Sequence, residues 1–221
     1  EPPELCNKIQ RFYNSAIVIE GSKIIHIENK RLLPNYDVFD ERRYFSFDNK
    51  LQTVKIKGIP IGILICEDIW DQHYDMKVAK ELVNNRAEVL VVINASPYHI
   101  SKFTKRKEIL SSKSEKYNVP IIYVNMVGGL DEIVYDGQSF ITNRFGQVIY
   151  KAVAFKEASP MTYLNLEPTK KSEAFEYKID WREEVIEALK LNLRDYYEKS
   201  GIFEGVVLGL SGGIDSAFTS Y

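Results

Sequence analysis

The chain has 221 residues, 45% of them hydrophobic and 27% charged, with a formal net charge of −2; these are the proportions of a soluble globular protein with room for one substantial core, or for one domain and the start of another. Such a charge balance leaves no footprint for nucleic acid or an anionic membrane, and the longest apolar runs, 59–66 and 89–93, are far too short to span a bilayer. Two cysteines, Cys6 and Cys66, build no disulfide framework, which makes a reducing cytoplasm the simplest setting, and His26, His73 and His99 lack metal-site spacing.

The opening Glu1-Pro2-Pro3 carries neither an initiator Met nor a leader pattern. Residues 15–20 and 23–27 are β-branched runs about Gly21-Ser22 and predict a hairpin. From residue 59 the pattern becomes strand, helix, strand. Residues 59–65 form a near-continuous apolar run, as in a strand covered on both faces. Met76, Ala79, Leu82 and Val83 fall on one helical stripe. Residues 89–93 predict a second buried strand, 104–117 a polar-faced helix and 120–124 a third strand. Further strands are expected at 140–142 and 148–155, about a turn at Asn143-Arg144-Phe145-Gly146.

The stretch 157–178 is polar, contains Pro160 and Pro168 and has no period; its second half reads as a linker. Asp180 then opens a helix, with Glu183 three residues on in the capping-box arrangement. Val185, Leu189, Leu193 and Tyr196 form its apolar stripe and Gly201 closes it. Val206-Val207-Leu208 predicts a strand running into a glycine-rich loop. The organisation expected is therefore one unit over 1–165, a linker over 166–179, and a second unit over 180–221 that stops after its first strand–helix junction.

Cys66 ends a buried strand. A cysteine among apolar residues is more often packing than chemistry. Its place at a strand's carboxyl end shifts that balance, because there α/β proteins form their crevices. A thiol becomes an effective nucleophile when a nearby cation favours the thiolate. Lys30 is the candidate cation, although spacing alone does not pair the two.

The segments 30–36 (Lys30-Arg31-Leu32-Leu33-Pro34-Asn35-Tyr36), 38–45, 66–70, 94–98 (Asn94-Ala95-Ser96-Pro97-Tyr98) and 136–140 (Asp136-Gly137-Gln138-Ser139-Phe140) resemble the nitrilase, or carbon–nitrogen hydrolase, superfamily. More narrowly, they are similar to the glutaminase domains of glutamine-dependent NAD(+) synthetases, from about residue 14 to 155. The resemblance implies an α/β fold, a four-layer α-β-β-α sandwich present in part, and a Glu-Lys-Cys triad. In it Cys66 is the nucleophile and Lys30 stabilises the tetrahedral intermediate. The general base would be a glutamate well upstream of the lysine, expected ahead of residue 1. Glu4 lies too close to Asn14-Ser15-Ala16 for that alignment and is assigned a structural or surface role.

By the same resemblance Tyr36, Ser96 and Lys102 contact glutamine. Against this, Tyr36 could be a core aromatic, and the loop carrying the other two a plain connection. Glu41 and Glu67 could orient Lys30, hold the substrate's α-ammonium, or satisfy a buried polar network. Asp37 and Ser101 stand where many relatives have glycine, which puts local loop geometry in question.

In the loop 209–216 (Gly209, Leu210, Ser211, Gly212, Gly213, Ile214, Asp215, Ser216), glycines allow backbone to approach a pyrophosphate and helix N-terminal N–H groups point at anions. The Gly-Lys-Ser/Thr ending of a Walker loop is absent, and a Gly-Gly pair alone is more commonly a bare turn. Following a strand, the string resembles the PP-loop of ATP pyrophosphatases that adenylate their substrates. This fits the synthetase half of the same enzymes, a doubly wound nucleotide-binding domain of which only the first helix, strand and loop are expected. ATP phosphates would contact Gly209–Ser216, Ser211, Gly213 and Ser216 foremost. Asp215 would be a Mg²⁺ ligand, or else cap the next helix.

The resemblance thus implies glutamine, ATP and deamido-NAD as substrates, Mg²⁺ with the ATP, no prosthetic group, and a homo-oligomer when complete. The deamido-NAD pocket would lie beyond residue 221. A stand-alone amidase that makes no use of ATP, and a chain serving assembly without catalysis, remain as alternatives at this point.

Overall fold

A computed structural model describes residues 12–166 and 180–221. Glu4, Cys6 and all but the first residue of the expected linker lie outside them. In chain order the elements are β1 (Ser15–Glu20), β2 (Lys23–Asn29), α1 (Glu41–Tyr44), β3 (Val54–Ile56), β4 (Ile59–Ile65), α2 (Val78–Asn84), β5 (Val89–Asn94), α3 (Lys102–Tyr117), β6 (Ile121–Asn125), β7 (Val127–Leu130), β8 (Ile133–Asp136), β9 (Phe140–Thr142), β10 (Val148–Lys151), α4 (Trp181–Ser200) and α5 (Ile214–Thr219).

The central sheet has six strands in the order β10-β9-β6-β5-β4-β3. β4, β5 and β6 are parallel, and the flanking strands antiparallel. The apolar runs of the parallel strands serve two faces at once. Leu64, Leu90, Val92 and Ile121 pack with Ala79 and Leu82 of α2 and Ile109 and Leu110 of α3. On the other face Ile63 and Ile65 meet Ala16 and Val18 of the β1–β2 hairpin. Helices, sheet and hairpin form three successive layers of the expected sandwich. A Cβ on Gly62 would come within 2.8 Å of Leu90 Cδ2, so a side chain there would push β4 off its helix layer.

The parallel register sets the site. Ile65 lies opposite Ile93, so β4 and β5 bring Cys66 level with Asn94 at their carboxyl ends, with Ala95 next in the same cavity. Cys66 opens a 3-10 turn over Cys66–Ile69 and takes φ 46. Asp68 closes that turn: its carboxylate accepts the Ile65 N–H at 3.0 Å, and also the N–H groups of Arg31 at 3.0 Å and Leu32 at 2.9 Å. One fully buried side chain thus ties the cysteine turn to the strand end that carries Lys30.

Helix α3 buries two cations beside Ile109 and Leu110. Arg106 meets Asp136 at 2.8 Å, and Lys113 pairs with Asp71. The polar reading of 104–117 holds, but the buried face of the helix is itself partly charged.

Two expectations fail. The stretch 206–208 forms no strand and Val207 is fully exposed: a strand exists only through its ladder partners, and no described strand pairs with this one. The core face of α4 is not the predicted Leu189, Leu193 and Tyr196, which are exposed, but Glu184, Ala188 and Leu191. This second face sits on the β7–β8 hairpin, which was itself not foreseen. Gly129 permits the approach, since a Cβ there would meet Asn192 Cα at 2.9 Å. Asp195 accepts the Gly129 N–H at 2.7 Å, and Lys199 donates to the Gly129 carbonyl at 3.0 Å. The predicted stripe instead faces Phe218 and Tyr221 across a cavity of about 480 Å³. Asp180 does cap α4, through the Arg182 N–H.

Asp68→Ala leaves three buried N–H donors without a partner. It is expected to lower the unfolding free energy by roughly 3 kcal/mol or more, read from the urea midpoint, with the m-value unchanged.

Candidate active site

Cys66, Lys30 and Glu41 line one cavity of about 330 Å³, together with Phe39, Asn94, Ala95 and Tyr135. Lys30 is almost completely buried and its Nζ donates to Glu41 Oε1 at 2.6 Å. A lysine in such a place needs its counter-ion, and short α1 supplies it from its first turn. Glu41 therefore orients Lys30; its second oxygen is buried without a protein partner.

The thiol is held in tension between two influences. Burial pushes Cys66 above the ordinary thiol range, and Lys30 pulls the other way, as does the backbone N–H of Ala95. The Glu67 and Glu41 charges add to the effect of burial, and the sulfur sits beside the cation that favours its anion. Glu67 is the other acidic neighbour. It is buried and accepts the hydroxyls of Tyr36, at 3.0 and 2.9 Å to its two oxygens, and of Tyr74 at 3.0 Å. Burial still raises its carboxyl. Tyr36 turns its ring to solvent and to Phe39, so it is not a core aromatic.

The other two sequence-derived contacts separate. Lys102, at the start of α3, lays its ammonium 4.7 Å from the Trp70 ring centroid. Burial lowers its pKa, reinforced by Arg106 and Lys105. Ser96 is turned away from the Cys66 cavity: its hydroxyl and carbonyl accept from Arg106 at 3.1 and 2.8 Å, and its N–H is held by Asn125 Oδ1 at 2.9 Å.

The glycine-rich loop lies apart and is mostly solvent-exposed. Gly212 takes φ 82, Gly213 precedes α5 as its cap, and the hydroxyls of Ser211 and Ser216 meet at 3.1 Å. The Gly213 N–H leans on Ser211 Oγ at 3.3 Å. Asp215 stands in the first turn, and Gly213 rather than Asp215 occupies the cap position. Among the described residues no three His, Cys, Asp or Glu side chains gather to hold a metal.

Residues 4–168 match the carbon–nitrogen hydrolase family, which is most of the chain. The chain belongs to that family. Residues 185–221 match NAD synthase. The chain is 40% identical over 214 residues to the glutamine-dependent NAD(+) synthetase of Acinetobacter baylyi, covering 94% of this chain and 38% of that protein. With the Aquifex aeolicus enzyme of the same name it shares 36% identity over 242 residues, covering 94% and 42%. A solved structure of the Acinetobacter baumannii glutamine-dependent NAD(+) synthetase, in complex with ADP, superposes with a TM-score of 0.81 at 38% identity, over 94% of this chain and 39% of that one. The chain spans about two fifths of the length of the curated relatives it matches.

Asp37 and Ser101, the two positions at which the family resemblance implies glycine, take φ 54 and 67, a left-handed backbone. Sequence reasoning missed Asp68 and the Arg106–Asp136 pair. A carboxylate two residues beyond a strand-end cysteine could have signalled the first; Arg106 carried no signal among the many charges of its helix.

Two expectations follow. Ser101→Gly relieves a left-handed non-glycine and is expected to raise stability by about 1 kcal/mol, measured by chemical denaturation. Lys30→Met removes the cation that favours the thiolate, so the apparent pKa of Cys66 rises further. Alkylation of the Cys66 peptide by iodoacetamide at pH 8 is then expected to slow by about tenfold, one pKa unit.

Proposed function

We propose that this hydrolase is the glutaminase part of a glutamine-dependent NAD(+) synthetase. The observation that carries the reading is the sharing of one cavity by Cys66 and the buried Lys30–Glu41 pair. The Cys66 sulfur attacks the side-chain amide carbon of glutamine. A tetrahedral intermediate forms and collapses to a thioester as ammonia leaves, and water then releases glutamate. The oxyanion of each intermediate is met by the Lys30 ammonium and by a backbone N–H beside Cys66; losing one such donor typically costs about 10²–10³ in rate. Glu41 orients the lysine. The family resemblance assigns the general base to a further glutamate ahead of the lysine.

Tyr36 and Glu67 form the acidic, hydroxyl-lined flank suited to the substrate's α-ammonium, and Lys102 the cationic flank suited to its carboxylate. Ser96 acts on this pocket from behind, through the loop that it anchors.

The ammonia has a use in the second unit. At neutral pH free ammonia is mostly ammonium and a poor nucleophile, so hydrolysis beside an adenylating site serves amide formation well. The match of 185–221 to NAD synthase, with the Ser211-Gly212-Gly213-Ile214-Asp215-Ser216 string, supports ATP as the adenylating substrate and deamido-NAD as the acceptor. Backbone and hydroxyls of 209–216 would hold the phosphates. A Mg²⁺ is typically held by one or two carboxylates plus the phosphates, and Asp215 is suitably placed to be one of them.

Treatment with a diazo-ketone analogue of glutamine is expected to add one label, on Cys66, visible by peptide mass spectrometry; no label on this chain favours a catalytically silent chain, and no label on Cys66 in an enzyme carrying both complete units rules out the glutaminase assignment. In an enzyme carrying both complete units, Cys66→Ala should abolish turnover driven by glutamine and spare turnover driven by added ammonia.

A further inference from the structure

Arg106, from α3, is completely buried, and so is its counter-ion Asp136 at the end of β8. Removing two charges from water consumes much of their attraction, and replacing such a pair by apolar residues of similar size is often neutral for stability. What an apolar pair cannot supply is direction. A guanidinium is a flat, rigid fork whose arms donate at fixed angles.

Here the two arms end beside different walls of the Cys66 cavity. Arg106 Nη1 donates to both Asp136 oxygens at 2.8 Å. Nη2 donates to the Ser96 carbonyl at 2.8 Å, to the Ser96 hydroxyl at 3.1 Å and to the Pro97 carbonyl at 3.4 Å. Ser96 directly follows Asn94 and Ala95, and Asp136 directly follows Tyr135; these three neighbours line the cavity together with Cys66. The same two segments are tied again where the Tyr98 N–H donates to the Val134 carbonyl at 2.7 Å. Asn125 also serves both, accepting the Ser96 N–H at 2.9 Å and donating to the Gly137 carbonyl at 3.1 Å. The Gln138 amide donates to Asp136 Oδ2 at 2.7 Å and steadies the fork's anionic partner. In low dielectric such a network is stiff, and each member fixes the next.

We infer that Arg106 is a positioning residue for the Cys66 site: its fork sets the Asn94–Ala95 wall of the cavity against the Tyr135 wall, so that an amide bound between them meets the sulfur. Arg106 itself lies behind both walls and lines neither. The inference rests on reading this cavity as the glutamine site, and the unsubstituted enzyme tests that reading separately.

The test is a ratio of two rates at Cys66 in the enzyme carrying both complete units: labelling by the diazo-ketone analogue of glutamine over alkylation by iodoacetamide. Both reagents react with the same sulfur, so its ionisation cancels. The ratio reports how well the walls hold a glutamine-shaped molecule. Arg106→Lys keeps a cation for Asp136 but offers no fork. It is expected to lower the ratio about 10²-fold, the scale of loss when a reacting group is misplaced by about 1 Å, with the iodoacetamide rate unchanged. Arg106→Met combined with Asp136→Asn removes both charges together, and the same fall is expected there should the lysine variant not fold. Lys113→Met combined with Asp71→Asn removes the other buried pair of α3, which fastens the helix to the turn after Asp68 instead, and should leave the ratio where it was.

A wild-type ratio in a folded variant without the fork overturns the inference. So does an equal fall in the Lys113 and Asp71 variant, or a fall produced only by faster iodoacetamide reaction, which marks general loosening. If the diazo-ketone leaves Cys66 of the unsubstituted enzyme unlabelled, the glutaminase reading fails and takes the inference with it.

Discussion

Three backbone N–H groups close on a single buried carboxylate, and the Cys66 site depends on that closure. Asp68 takes one N–H from the residue before the cysteine and two from the residues just after Lys30. Residues far apart in sequence are thereby held at one place by a side chain that touches neither reacting group. The same tie accounts for the unusual backbone at Cys66. A cysteine at φ 46 costs free energy, and the turn persists because the surrounding hydrogen bonds over-determine it. The strain has a use, since it lifts the sulfur clear of the strand and toward the cavity.

Buried charge is the second organising feature. Arg106–Asp136, Lys113–Asp71 and Lys30–Glu41 all lie in or beside the hydrolase core. Such pairs are weak contributors to stability, because desolvation consumes much of their attraction. They do fix geometry, since displacing either partner strands a charge in a poor solvent. The Lys30–Glu41 pair lines the cysteine pocket, Arg106–Asp136 ties α3 to the end of β8, and Lys113–Asp71 fastens α3 to the turn that follows Asp68.

What was legible in the sequence follows from the same physics. The runs at 59–65 and 89–93 announced β4 and β5, because a strand buried on both faces has few polar positions to hide it. The β7–β8 hairpin was missed: Val127-Gly128-Gly129-Leu130 puts two glycines in a four-residue strand and shows no alternating pattern, and the approach of α4 accounts for them. Period alone chose the wrong face of α4, because the helix has apolar residues on two sides and small Ala188 marks the one that fits a sheet. Cys66 and Lys30 were found through motif resemblance, not through spacing. Asp68, Arg106 and Glu184 were invisible for a common reason: a charged side chain reads as solvated until its partner is known.

The raised pKa of the Cys66 thiol has a consequence for the protein's durability. Peroxides and disulfides are attacked by the sulfur anion, so burial, which disfavours that anion, also slows sulfenic acid formation and glutathione capping. The burial that hinders ionisation therefore also shelters the sulfur from oxidative loss.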